Sequence, residues 1–458
     1  MPQPIDLSPA ERDIYEPLAN LPIVSPHGHT NPAWFARDAP FGDPASLLVT
    51  PDHYVFRMLY SRGVDLAELG IGGAPFEPRR AFARLAEHWD AFLGTPSRSW
   101  MEHALRQCFN VDQPLTPATA MDIYDQIDAR LKDPAFRPRA LLDRFGIEIL
   151  ATTDGALDDL QHHREFASTG HATRLIPTFR PDAVLNPARP GFAEGIVRLG
   201  ECVGQDITDY DAYMDALRER RRQFIEAGAT ATDHDVPVLA TRWLSCADVT
   251  ALFDDARRGT IDANGAARFY GHVLIEMAQM SLDDGLVMQI HAGSRRSTNH
   301  ALRDRFGADM GADIPQRTDW VGGLDALLNR VGNDASLTII AFTLDETAYA
   351  RELAPMAGHW PALRLGPPWW FHDSLNGILR YFDQVVETAG YRNLAGFNDD
   401  TRAFLSIPAR HDLWRRAVAI HLARQVGRGL FDRRDAARLG QLLARDLAVE
   451  AYRLGSRA

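Results

Sequence analysis

Lysine is almost missing from this chain: Lys132 is the only one among 49 basic residues in 458 positions. A Schiff-base lysine, or a carboxylated lysine bridging two metals, would have to be that residue. It sits in RLKDPAF, a polar stretch that reads as a helix end and loop, so both chemistries are disfavoured. Cysteine is scarce as well. Cys108, Cys202 and Cys246 are scattered, odd in number and without CxxC spacing, which argues against a disulfide framework or zinc ribbon and suits a reducing compartment. There is no GxxxxGK[ST], so no P-loop, and no GxGxxG after a strand. No apolar run approaches the ~20 residues of a membrane span. The N-terminus lacks the basic-then-apolar pattern of a secretory leader, and the cytoplasm is the expected location. The net charge of -12 disfavours nucleic acid and anionic membrane as partners. An anionic small molecule would also be repelled by that field, so a site for one needs its own arginines.

What is present is a repeating pattern. With 45% apolar residues the chain can bury a sizeable core. Short apolar runs recur at 22–29, 147–154, 174–180, 229–239, 286–293, 337–344, 363–371 and 393–400. Most are followed by helical periodicity, as in AARFYGHVLIEMAQMSL at 266–282. About eight strands alternating with helices predict a (β/α)₈ TIM barrel rather than a doubly wound sheet. The polar residues favour the same choice. His27, His29, Thr153, Asp154, Arg180, Asp233, His291, Trp370 and Asp400 all fall at or just past strand C-terminal ends, which in a barrel meet at one mouth. Residues 31–146 are too long for one crossover and look helical. They are expected to be an insertion over the mouth, leaving 1–30 and 147–458 as the barrel.

Several motifs carry chemistry. In His27-Gly28-His29, strand geometry would project both imidazoles to one side, as two ligands of one ion require. A carboxylate should complete the set. On the residues alone Asp399 and Asp400 compete for that place, and either could instead cap the following helix. His291 reads as a further ligand, a substrate contact or a core histidine. Asp52-His53-Tyr54 and Arg57 form a second cluster, in which His53 and Tyr54 offer acid and base groups and the alternative is a helix surface with a packed aromatic. Arg180, at a strand end, suits a carboxylate held bidentately. Arg402 could do the same, and Trp369 and Trp370 could stack on a sugar face or simply fill the core.

Taken in order, these pieces resemble the uronate isomerases of the amidohydrolase superfamily, over residues 20 to 425. His27 and His29 match the family's HxH. Asp52, His53, Tyr54 and Arg57 match its aspartate-histidine-tyrosine motif and downstream arginine. FGIEILATTD, LIPTFRPD, ATDH, IHAGSRRSTN (with Arg296 and Asn299 at matching spacing), PWWFHD and DDTRAFLSIPARHD are similar to its later strands. The resemblance implies a distorted, amidohydrolase-like barrel with a helical insertion after the first strand. It implies isomerisation of D-glucuronate to D-fructuronate, of D-galacturonate to D-tagaturonate, or both, through a cis-enediol. It implies a divalent metal, zinc being the expected one, on His27, His29 and Asp400, and, since isomerisation moves no net electrons, no nucleotide or redox cofactor. It further implies a catalytic set of His53, Tyr54, Asp400 and Arg402, and substrate contacts from Arg180, His291, Trp369 and Trp370. The partner is a hexuronate, with homo-oligomerisation left open. Two departures stand out: Ser25-Pro26-His27-Gly28-His29-Thr30 where the family has aspartate-tyrosine-histidine-cysteine-histidine-leucine, and His372 where it has asparagine. Two other readings stay open: a metal-dependent hydrolase acting on a sugar-acid lactone, ester or amide, and a catalytically dead sugar-acid-binding protein.

Overall fold

The computed structural model describes residues 5–73 and 75–455; the outermost residues of the expected barrel segments, 1–4 and 456–458, lie outside them. Seven parallel strands make one curled sheet in sequence order: β1 (Ile23–Ser25), β2 (Ile147–Gly155), β3 (Arg174–Arg180), β4 (Ala231–Val236), β5 (Val287–Ala292), β6 (Ile339–Thr343) and β7 (Leu363–Leu365). Nearly every residue of β4, β5 and β6 is buried, as expected for parallel strands covered on both faces. Helices such as Tyr210–Glu226, Ala263–Asp284 and Trp320–Val331 follow the strands and pack around them.

Three expectations need correction. The run at 393–400 is not a strand. It makes one parallel bridge, Leu365 to Leu394, and then leaves the ladder. Gly396 is the reason. It holds φ +77°, and a Cβ there would lie 2.5 Å from Ala448 N, so the backbone turns where the C-terminal helices press in. The eighth position is closed instead by His29 N–H donating to Thr401 O at 3.0 Å. The seventh strand stops at Leu365 because Gly366, Pro367 and Pro368 follow, and proline has no N–H for a ladder. The first strand ends at Ser25, short of the expected 22–29, and Pro26 and Gly28, residues ill suited to a strand interior, lie beyond it.

Residues 31–146 form short helices, among them His53–Ser61, Pro78–Glu87, Pro96–His103 and Ala120–Leu131. Their apolar faces build a second buried cluster, with Phe82, Leu105, Ile123 and Ile127 at its heart, which packs onto Ile147, Leu150 and Leu175 of β2 and β3. At the opposite end from the strand C-termini, the chain's last turn covers the barrel. Arg174 donates to Leu454 O, and the buried Tyr452 hydroxyl reaches Gln289 Oε1 inside the sheet at 3.2 Å.

Candidate active site

The strand C-termini and the loops after them enclose a cavity of about 930 Å³. It holds ten residues expected to bind metal or substrate or to carry catalysis: His27, His29, His53, Tyr54, Arg180, His291, Trp369, Trp370, Asp400 and Arg402; Asp52, Thr153 and Asp154 are not part of its wall, Asp154 facing Thr152 and His163 instead. Arg57 and Asn299 are not part of its wall. Arg57 lies over the Phe371 ring at 4.6 Å, and Asn299 caps the helix His300–Phe306.

His27 and His29 converge although they lie beyond the strand rather than on it. Their Nε2 atoms are 3.4 and 3.0 Å from one oxygen, Asp400 Oδ1. Asp400 adopts φ +39°, and the turn separates it from Asp399, whose Oδ2 meets His411 Nε2 at 3.1 Å. That geometry favours Asp400 as the carboxylate of the set. Two imidazoles and a carboxylate at these separations suit one divalent ion with bonds near 2.0–2.2 Å. The buried Asp400 Oδ1 makes no aligned hydrogen bond among the described residues although both imidazole nitrogens face it, which suits a metal-ligating oxygen. His27, Asp233 and His291 form an alternative trio. There Asp233 is already committed, 2.7 Å from His291 Nδ1 and 3.5 Å from the Arg180 guanidinium, and a neighbouring guanidinium repels a metal ion. Burial would raise the Asp233 and Asp400 carboxyls, but the imidazoles beside both, and Arg180 beside Asp233, hold them well below the usual range.

The helix His53–Ser61 delivers the second cluster. Asp52 is its cap, accepting from Tyr54 N–H at 2.9 Å, so His53 and Tyr54 occupy the first turn facing the cavity. Burial and the Arg402 charge push the His53 imidazole down to about 3, which keeps it neutral. Its Nδ1 has no partner among the described residues. The Tyr54 hydroxyl donates to Asp373 at 3.0 Å and accepts from Phe371 N–H at 3.2 Å, and burial with Asp373 nearby pushes its ionisation far up. Arg410 closes this network from below, pairing with Asp373 at 2.7 Å.

The arginines expected to meet an anion already hold carboxylates of the protein. Arg180 binds Asp182 at 2.7 Å, and Arg402 binds Asp309 at 2.8 Å. Arg189 and Arg296 share Asp235. The tryptophans are also engaged. Trp369 donates its indole N–H to Asp400 Oδ2 at 2.6 Å, and Trp370 is stacked by Phe371 and meets His53 edge-on at 4.5 Å. His372, in the place of the family's asparagine, sits between Glu346 and Leu344 O.

Several wall residues were not singled out from the sequence: Asp182, Arg189, Asp235, Asp309 and Asp373. Asp235 had a signal. It stands two residues after Asp233 on β4 and therefore points to the same side. Asp309 had none, since its partner Arg402 lies 93 residues away.

Comparisons with known proteins agree with one another. The family profile described as glucuronate isomerase matches residues 7–452. A uronate isomerase of Rhizorhabdus wittichii is 54% identical over 443 residues, 97% of this chain and 95% of that protein. The crystal structure of glucuronate isomerase from Caulobacter crescentus superposes with TM-score 0.96 at 48% identity, covering 99% and 96% of the two chains. The crystal structure of a uronate isomerase from Thermotoga maritima gives 0.92 at 26% identity, covering 97% of each.

Proposed function

Because this chain belongs to the glucuronate isomerase family, we propose that it interconverts aldohexuronates and ketouronates: D-glucuronate with D-fructuronate, D-galacturonate with D-tagaturonate, or both. The observation that carries this reading is one cavity joining the His27–His29–Asp400 donor set to the neutral His53, the protonated Tyr54 and a group of arginines. Zinc is the ion proposed for the donor set, and the cytoplasm the proposed place of work; no helix among the described residues is long and apolar enough to cross a membrane. When bound, the ion supplies Lewis acidity and a fixed anchor for sugar oxygens.

The chain's own residues do the rest. The reaction moves a proton from C2 to C1 and the carbonyl from C1 to C2, with no net change in electrons. The proton beside a carbonyl is hard to remove, so a base must be close and the developing oxyanion must face positive charge. His53, on the cavity wall and held neutral, is the proposed base. Tyr54 stays protonated and donates. Arg402, beside His53, stabilises the enediolate oxygen. Arg180 turns toward the uronate carboxylate, and His291 and the tryptophans shape the pocket around the ring.

The test is a proton NMR time course with metal-loaded protein in D₂O, using D-glucuronate and D-galacturonate in separate tubes. Ketouronate should appear in at least one, with deuterium at C2 of recovered aldose. Two unchanged sugars would sink the proposal.

A further inference from the structure

The donor set and the catalytic cluster occupy one end of the cavity, and the cavity does not stop there. Its volume of about 930 Å³ is near the top of the ~300–1,000 Å³ range that encloses drug-sized ligands, and a single hexuronate is smaller than those. Beyond Arg180 and Arg296 it continues as an open trough between the loops after β3 and β4 and the first turns of the helix Ala263–Asp284. The trough walls are small and apolar: Ala188, Val238, Ala240, Ala263 and Ala267, all exposed, Val238 by 67%. An exposed apolar surface continuous with a polar site marks a binding groove.

One charge in this trough is free. Arg189 and Arg296 are tied to Asp235, and Arg296 also to Asp313. Arg295 lies next to Arg296 on a two-residue strand, Ser294–Arg295, which pairs antiparallel with Ile314–Pro315. Its side chain lines the cavity, is exposed, and has no hydrogen bond or ion pair among the described residues. An unpaired guanidinium and an apolar wall lining one cavity fit a ligand with both a flat C–H face and a carboxylate. A second uronate ring has both.

We propose that this trough is a second sugar subsite, so that the enzyme also isomerises the reducing end of a uronide dimer linked through O4, with the second ring against the alanine wall and its carboxylate on Arg295. This rests on the isomerase reading of the same cavity. The chemistry closes. An O4 link leaves C1, C2 and O5 of the reducing ring free, so the ring opens to its aldehyde, the proton moves from C2 to C1 and the carbonyl from C1 to C2. No glycosidic bond is made or broken, and no co-reactant is consumed.

The experiment uses metal-loaded protein with galacturonate and with the 1,4-linked galacturonate dimer, followed by NMR, plus calorimetry with the borohydride-reduced dimer, which can bind but not react. The dimer should acquire a keto reducing end. Arg295→Ala should lower dimer kcat/KM and reduced-dimer affinity by about tenfold while leaving galacturonate turnover unchanged. Ala267→Trp should block the dimer alone. A dimer that neither reacts nor binds would overturn the subsite, as would an Arg295→Ala change that affects monomer and dimer equally. If neither sugar turns over, glucuronate decides the isomerase reading, which fails only if glucuronate too is unchanged, and reduced-dimer binding to wild type against Arg295→Ala still decides the subsite.

Discussion

Trp369 and Asp400 share one hydrogen bond, indole N–H to Oδ2 at 2.6 Å, and it turns the other carboxylate oxygen toward both histidines. A ligand carboxylate that is itself hydrogen-bonded has a fixed orientation, and removing such a support costs about 10–100-fold in metal affinity. Trp369→Phe keeps an aromatic ring near His291, which Trp369 meets at 4.7 Å, and deletes only the donor. The ion should be lost to a competing chelator at about 10–100-fold lower concentration. Unchanged affinity would mean that Asp400 is oriented by its backbone alone.

Arg180 has a structural duty as well as a proposed binding one. It neutralises Asp182 and Asp233, both nearly fully buried. Taking one partner out of a buried pair costs about 3–5 kcal/mol because a charge is left uncompensated. Arg180→Met should therefore lower the urea midpoint as well as kcat/KM. A variant with wild-type stability would show that Arg189, 3.8 Å from Asp182, carries the charge balance.

A buried polar trio behind β2 predicts a cancellation in pH dependence. Thr152 Oγ1 lies 2.7 Å from both Asp154 Oδ2 and His163 Nε2. Burial, with Asp158 nearby, pushes the Asp154 carboxyl from 3.8 up to about 7, and burial, with His162 and Arg164, pushes His163 from 6.5 down to about 4. Between roughly pH 4.5 and 6 the folded pair holds its proton on Asp154 and the unfolded pair holds it on His163, so the pair contributes no slope. Each single variant exposes the other half. In Asp154→Asn the remaining histidine binds a proton only when unfolded and the proton held on folded Asp154 is gone, so stability relative to wild type should rise from about pH 4 to 7. In His163→Gln the remaining carboxyl is protonated only when folded, so stability relative to wild type should fall from about pH 4 to 6.5, where the wild-type histidine ceases to compensate. The change amounts to at most about 4 kcal/mol for Asp154→Asn and about 3 kcal/mol for His163→Gln. Urea midpoints across that range decide it, and parallel curves for all three proteins would sink the idea.

Gly396 should tolerate no side chain. An alanine there meets Ala448 N at 2.5 Å and must hold φ +77°. Gly396→Ala should cost about 1–3 kcal/mol in chemical denaturation. A neutral result would mean that the C-terminal helices shift freely.

The sequence spoke clearly where a signal was local. Seven of the eight apolar runs are strands because β-branched and apolar residues in short bursts have few other ways to be buried. The eighth failed because Gly396 answers to Ala448, about fifty residues away. Arg180 and Arg402 were visible as arginines at strand ends, but their carboxylate partners were not, since pairs such as Arg402–Asp309 are made by loops that meet only in the folded chain. The HxH pair was legible as chemistry and misplaced as structure. Its two rings converge through a loop anchored at Thr401, a contact with no local trace in the sequence.

The turn of chain that lies across the far end of the barrel has a kinetic corollary. With Tyr452 under Gln289 and Leu454 held by Arg174, described residues lie across that end, and the cavity of the donor set opens at the strand C-termini. Aldose and ketose must therefore use the same doorway, each barring the other while it stands there. A reversible isomerase so built should slow as its own product accumulates, competitively, even far from equilibrium.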